Sequence, residues 1–355
     1  MAEAGERSGV TKVLVTGGSG FFGGVLKRRL LDEGHTVVNI DLVADADVHE
    51  RLRSVQGDLC DTALLERLFA AERFDAVFHC AALLAHEGIG EAMLFRANAE
   101  GTRLVAEACR THGVARLVFV STNCLWAHNL GRPVREDDPP SPVEAYGRSK
   151  LAAELALREY RDDLQVVVIR CPTIIDSGRL GLLAILFEFI DEGRKIWVVG
   201  DGSNRYQFIY AQDMASACMA ALDCAGSDVF HVGSDDVPSL REVYEAVIRA
   251  AGTGARIGEL PKAATIAAMK LAHLLHVSPL GPYHYRMIAE DFVFDTTRIR
   301  ERLGWRPTLT NQEMLVKAYR YYAERRKEIE ARAGEVSAHS RGASMGAIRL
   351  LKWIS

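Results

Sequence analysis

No Cys-X-X-Cys pair occurs among the seven cysteines (Cys60, Cys80, Cys109, Cys124, Cys171, Cys218, Cys224). An odd, scattered set suits neither a disulfide framework nor a structural zinc site, and reads as the reduced thiols of a cytoplasmic protein. His79, His86, His128 and His231 lack metal-ligand spacing, so no metal is expected. The most apolar later stretch, Ala263 to Val277, is interrupted by Lys270 and His273 and falls short of the roughly 18 to 20 residues a membrane span needs. The polar opening MAEAGERSGV reads as neither signal peptide nor anchor. An excess of positive charge is missing too: 43 Lys and Arg stand against 47 Asp and Glu, for a net charge of -4, which sets a nucleic-acid partner aside. There is no internal repeat or low-complexity linker.

The chain has ample material for a core. With 355 residues, 48% of them hydrophobic, it can hide most of its surface, since a chain of roughly 300 residues buries about 75% of what it exposes unfolded. Short β-branched runs alternate with helical patterns: strands are predicted at Lys12 to Thr16, Thr36 to Asp41, Ser54 to Gly57, Ala76 to Cys80, Arg116 to Ser121 and Gln165 to Arg170. Helices are predicted at Gly23 to Glu33, Ala63 to Ala71, Phe95 to His112 and Tyr146 to Tyr160. That alternation specifies an α/β fold, a Rossmann-type doubly wound parallel sheet. It fades after Arg170, where helices at Leu180 to Glu192, Ser239 to Ala251, Lys262 to Leu275 and Gln312 to Glu330 point to a smaller, mainly helical substrate lobe. The expected organisation is a nucleotide-binding domain over 1–175, with later segments returning to it near 205–232. An interleaved substrate lobe would occupy 176–330, followed by a tail over 331–355.

After the first strand comes Thr16-Gly17-Gly18-Ser19-Gly20-Phe21-Phe22-Gly23 and then a helix. Glycines at 17, 20 and 23 let backbone approach a pyrophosphate, and a helix N-terminus supplies N–H donors. Asp41 closes the second strand, where a carboxylate can accept hydrogen bonds from ribose hydroxyls. Asp41, with Asp45 and Asp47 behind it, would repel a 2′-phosphate, so NAD is expected rather than NADP; Arg51 and Arg53 act the other way.

Tyr146 and Lys150, in Tyr146-Gly147-Arg148-Ser149-Lys150, stand one helical turn apart, where an ammonium would favour phenolate and so provide a base near neutral pH. Such pairs are common on exposed helices, and it is the glycine motif upstream that gives this one meaning. Ser121 and Thr122 lie just past a strand, at the sheet edge where open α/β folds take ligands, and a hydroxyl there can hold the oxygen that Tyr146 deprotonates.

With these features the chain resembles the extended short-chain dehydrogenase/reductase family of sugar epimerases, dehydratases and 3β-hydroxysteroid dehydrogenases. The likeness runs from about Val13 to Pro307, through TGGSGFFG, GDLCD (Gly57 to Asp61), HCAA (His79 to Ala82), NAEGT (Asn98 to Thr102), STNCLWA (Ser121 to Ala127), YGRSK and RLGWRP (Arg302 to Pro307). The resemblance implies Tyr146 as acid/base, Lys150 as ribose ligand and modulator of Tyr146, Thr122 in the Ser/Thr position, and Asp58 beside adenine. It extends the cofactor contacts to Phe21, Phe22, Leu59, Ala81 and Ala82.

Departures narrow the chemistry. Sugar dehydratases of the family carry Asp-Glu after the Thr, and this chain has Asn123-Cys124; decarboxylases also look to that Glu. Cys124 matches epimerases that move a carbon-bound proton beside a ketone, although a structural cysteine is the simpler reading. Thr173 replaces a diphosphate-contacting Asn, and Arg205 sits one place before the usual phosphate-binding Arg, a shift that changes strand face. Arg179 and Arg286 are further phosphate candidates. These features look closer to epimerases of polyprenyl-diphosphate sugars and to the hydroxysteroid branch than to soluble galactose epimerases. In Gly346 to Ser355 (GAIRLLKWIS), Arg349 and Lys352 flank a wide apolar arc, which suits a peripheral membrane contact or packing in a homodimer. The expected function is NAD-dependent epimerisation, at C4, of a sugar on a nucleotide or polyprenyl diphosphate. The alternatives are a dehydrogenase of a sterol-like alcohol and a non-catalytic NAD-binding scaffold.

Overall fold

The computed structural model describes residues 11–85, 89–126, 129–179, 183–274 and 287–331. In chain order they form β1 (Lys12–Thr16), α1 (Phe21–Asp32), β2 (Thr36–Asp41), β3 (Leu52–Gln56), α2 (Thr62–Ala71), β4 (Ala76–His79) and α3 (Glu91–Phe95). A π-helical turn over Arg96–Glu100 leads to α4 (Gly101–Thr111), β5 (Arg116–Thr122), α5 (Ala145–Arg158), β6 (Gln165–Cys171), β7 (Thr173–Ile175), α6 (Leu183–Asp191), β8 (Lys195–Val199) and β9 (Phe208–Tyr210). The chain continues through α7 (Ala211–Ala220), β10 (Asp228–His231), α8 (Leu240–Ala251), β11 (Arg256–Leu260), α9 (Lys262–Leu274), α10 (Thr297–Leu303) and α11 (Asn311–Ala331).

Strands such as β1, with Val13, Leu14 and Val15 all buried, are apolar on both faces, as strands covered by helices on two sides must be. Seven of them make one sheet in the order β10-β6-β5-β4-β1-β2-β3, with parallel pairs from β3 through β2, β1 and β4 to β5. The order reverses between β1 and β4, and the carboxyl ends there are where such sheets bind ligands. Leu14, Val38 and Ile40 pack with Leu65 and Leu68 of α2, Val105 of α4 and Leu157 of α5. Each fully buried side chain of this kind contributes about 1.5–3 kcal/mol.

The described residues fall into two compact units. One contains the residues up to Ser121 with Arg148–Ile169 and Ala215–Phe230; the other contains Thr122–Gly147, Arg170–Met214 and the residues from His231 on. The second unit packs Phe187, Phe189 and Ile190 of α6 against Tyr206, Phe208, Val243, Met314 and Tyr319. Helix α8 opens with a capping box, Ser239 with Glu242.

Two features differ from the sequence expectation. The helix expected over Phe95 to His112 is interrupted by the π turn, where the Asn98 side chain bonds outside its own helix. The second unit adds two short parallel pairs, β11 with β8 and β7 with β9, to its helices. β7 has only three residues, too few to complete an alternation, and β11 is nowhere fully buried. Arg286, His86, His128 and the tail beyond Ala331 lie outside the described residues.

Candidate active site

The turn after β1 is glycine by necessity. Gly17 has φ +74°, and a Cβ there would lie 2.7 Å from the Ala81 backbone at the end of β4, so the switch point closes only around a bare backbone. At Gly23 a Cβ would overlap the Gly17 carbonyl, whereas at Gly20 the nearest atom, Gly17 O, is 3.2 Å away. Gly20 is also the N-cap of α1, and no side chain caps the first amides. That uncapped end fits the pyrophosphate of a dinucleotide. Phe22 is buried beneath it and Phe21 is half-buried. The Ala81 N–H donates to Thr16 Oγ1, and Ala82 is exposed beside it.

At the end of β2, Asp41 accepts N–H bonds from Ser19 and Val43, both at 3.0 Å, which tie the β2 loop to the glycine turn. Asp45 and Asp47 do not contribute the repulsion expected of them. Buried Lys27 binds Asp45 at 2.5 Å and Asp47 at 2.9 Å, and Arg28 adds a second cation to Asp47. Arg53 pairs with Glu72, and Arg51 donates to the Leu31 carbonyl. The case against a 2′-phosphate therefore narrows to Asp41. Asp58 accepts from Cys60 N–H and pairs with Arg96 of the π turn, with Leu59 half-buried between.

Lys150 is 2% exposed. Its Nζ donates to the Val120 carbonyl at 2.8 Å and lies 3.9 Å from the centre of the Phe119 ring. Ser149 beside it receives the Asn98 amide at 3.0 Å, and Asn98 also exchanges bonds with both backbone groups of Leu83. The π turn thus spends a polar side chain on bracing the middle of α5. His79 is buried between Thr16 and Thr102, and burial together with the Lys150 charge pushes its pKa down to about 3, so it is a neutral structural side chain. Ser121, expected as a second substrate hydroxyl, instead donates to Glu154 at 2.6 Å inside the fold.

Thr122 ends β5 and caps the turn Asn123–Leu125 by accepting the Cys124 N–H at 3.1 Å. Asn123 donates to the Tyr206 hydroxyl at 2.8 Å, and that hydroxyl lies 3.4 Å from Thr173 Oγ1. Gly147 lets α5 press on this turn: a Cβ there would overlap the Cys124 carbonyl. Tyr146, the preceding residue, is held in the same neighbourhood. Burial raises its pKa well above the ordinary phenol value, the Cys124 and Cys171 thiols push the same way, and the Arg179 guanidinium acts to lower it. The expected phenol made acidic by Lys150 is therefore not what this structure contains. Cys124 is pushed up to about 12, chiefly by burial, with its bond to Thr122 working against the rise.

Within the second unit, then, Thr122, Cys124, Tyr146, Arg179 and Thr173 come together. Arg205 does not join them. It lines a separate groove of about 470 Å³ with Gln207, Arg132 and Arg300, while Tyr206 and Phe208 face the core. The one-residue shift has put the arginine on the opposite face of its strand.

The profile of the NAD-dependent epimerase/dehydratase family matches residues 13–233. The chain belongs to this family. It is 35% identical to the uncharacterised protein y4nG of Sinorhizobium fredii over 90% of this chain and 81% of that one. It is 29% identical to a UDP-glucose 4-epimerase of Mycolicibacterium smegmatis over 88% and 98%. The crystal structure of the Bordetella bronchiseptica enzyme WbmH in complex with NAD+ superposes with a TM-score of 0.71 at 26% identity, covering 89% of this chain and 99% of that one. As an NAD-dependent epimerase/dehydratase, the chain has NAD as its cofactor, and the glycine turn, the uncapped α1 and Asp41 fit it.

Sequence reasoning passed over three side chains of this site in an epimerase/dehydratase fold. Asn98 heads the stripe Thr102, Val105 and Cys109, and Lys27 lies between Gly23 and Leu31, so each was visible as a polar residue on a buried helix face. Tyr206 alternates with Phe208 on the core side of its strand.

Proposed function

We propose that the chain inverts a sugar hydroxyl, at C4, on a nucleotide- or polyprenyl-diphosphate-linked sugar, through a transient ketone. The observation that carries this reading is the turn after Thr122, whose next two side chains are an amide and a thiol held protonated, with the nearby Glu144 charge adding to the thiol's rise. Elimination of water needs an acid for the departing hydroxyl and a base for the neighbouring C–H, and neither Asn123 nor Cys124 supplies one near neutral pH. Oxidation and return at one carbon need a single proton-transfer group, a role for Tyr146 in which the Arg179 guanidinium opposes the burial that raises its pKa. Support also comes from the similarity to the M. smegmatis UDP-glucose 4-epimerase.

NAD, when bound, supplies a reversible hydride acceptor. Tyr146 accepts the proton of the reacting hydroxyl and returns it once the sugar has presented its other face. Thr122, whose Oγ1 accepts the Cys124 N–H, would turn its O–H from its long 3.5 Å bond to Asn123 Oδ1 toward the same oxygen. Lys150, one turn along α5, is the expected ribose ligand, while the charge that favours the Tyr146 phenolate against burial is the Arg179 guanidinium. Arg179, whose charge acts on Tyr146, and Thr173, beside the Tyr206 hydroxyl, are the candidates to orient the diphosphate or the sugar.

Incubation of the purified protein with UDP-hexoses and with polyprenyl-diphosphate hexoses, without added cofactor, tests the reading. Product from either substrate class, with NAD recovered from the protein by mass spectrometry, is expected. Turnover that requires added NAD in stoichiometric amounts and releases NADH would mean a dehydrogenase instead.

A further inference from the structure

Helix α9 is arranged the wrong way round for a soluble surface helix. Its described side chains are all exposed or half-buried. The half-buried ones, Thr265, Ile266 and Met269, mark one side. At 100° per residue the opposite side carries Ala263, Ala264, Ala267, Leu271 and Leu274, and all of these are exposed. Leu271 is 56% and Leu274 72% exposed. An amphipathic helix of a globular protein turns its apolar stripe inward; this one turns it to solvent, where a contiguous apolar patch marks an interaction surface.

The charge pattern identifies what covers it. The sequence contains no Asp or Glu between Glu259 and Glu290, in a chain whose 47 acids outnumber its 43 bases overall. Within α9 the charged side chains are Lys262 and Lys270, both exposed, with Lys270 on the margin of the apolar face. Lys262 lies on the half-buried side instead, so among the described side chains of α9 the apolar face is bordered by one cation and no carboxylate, which is complementary to anionic lipid headgroups above acyl chains. A second copy of the chain fits poorly. A helix of 13 residues is about 20 Å long and presents alanines with two leucines, far less than the roughly 800 Å² per partner of a stable dimer.

We infer that α9 is a docking helix for an anionic membrane surface, lying in the interface plane with Leu271 and Leu274 in the acyl boundary and Lys270 among the headgroups. One lysine and one short apolar face give weak, salt-sensitive, reversible attachment. The inference does not depend on the sugar reading: it concerns where the protein resides, and its test contains no substrate.

The test is flotation of the full chain with phosphatidylcholine–phosphatidylglycerol vesicles and with phosphatidylcholine alone, at low and high salt. Binding to the anionic vesicles alone, lost at high salt, is expected. The variant Lys270→Glu should weaken it by about thirtyfold, a change of two charge units at about 1 kcal/mol each, and Leu271→Asp/Leu274→Asp should weaken it by at least about tenfold. These residues are exposed, so NAD binding and thermal midpoint, measured on the same samples, should match wild type. A version ending at Ser340 separates the C-terminal tail: α9 is still required if the truncated protein floats and its α9 variants do not. Failure of wild type to bind, equal binding by wild type and variants, or binding that disappears with the tail alone overturns the inference. A fall in oligomeric mass in the Leu→Asp variant with unchanged vesicle binding assigns the face to a second copy instead.

Discussion

Replacing Gly147 by alanine tests how the site is held together. The added Cβ would overlap the Cys124 carbonyl and reach 3.0 Å from Pro142 Cβ. The principal obstacle is backbone, which cannot rotate aside as a side chain could, so α5 and the Thr122–Leu125 turn must separate. Overpacking of this kind costs about 1–3 kcal/mol. The neighbouring Tyr146 should then move by on the order of 1 Å, and a displacement of that size at a proton-transfer group costs about 100-fold in rate. Gly147→Ala should therefore lose far more turnover than stability. Urea denaturation gives the first quantity and steady-state kcat the second, with Gly254→Ala as control because a Cβ there meets nothing within 4 Å. Wild-type kcat in Gly147→Ala would refute the argument that the close approach of helix and turn positions Tyr146.

Cys124→Ser should retain substantial activity, and turnover in deuterated water should leave carbon unlabelled, because a thiol with a pKa of about 12 is protonated at neutral pH; carbon-bound deuterium together with an inactive serine variant would make Cys124 a base. Asp41→Ala should reduce the preference for NAD over NADP in calorimetry, since Asp45 and Asp47 are neutralised by Lys27 and Arg28; unchanged discrimination would remove Asp41 from that role. Stability should fall with acid: His79, with its folded pKa down at about 3, stays neutral while the unfolded chain takes up a proton below about 6.5, so between pH 7 and 5.5 it should cost about 1.3 kcal/mol, and buried His231, also lowered, adds to the loss. Urea midpoints that stay level over that range would contradict this.

The parts of the fold legible in the sequence are those with long buried patterns. β1 and β2 coincide with their expected limits, because each is a continuous buried run ending in a polar residue at the ligand edge. The three-residue strand β7 escaped, since its partner comes from distant chain and no local period marks it. At the site, glycines and the Tyr146–Lys150 spacing were readable because local geometry demands them. What sequence spacing could not supply was environment. The Lys150 ammonium turns to the Val120 carbonyl, burial raises Tyr146, and Lys27 cancels two carboxylates that looked available. Arg205 is the instructive middle case: its one-residue displacement was visible, and the alternation of the strand explains why it ends in another groove.

The central claim is that one carbon is oxidised and reduced again without exchange of its hydrogen. Turnover of a sugar diphosphate deuterated at C4, by the protein as purified, measures this directly through the position of the label in the inverted product. Deuterium retained at C4, with no label in solvent and Tyr146→Phe inactive though still able to bind NAD, is the predicted result. Loss of the label to solvent, or its appearance in released NADH, would contradict the account.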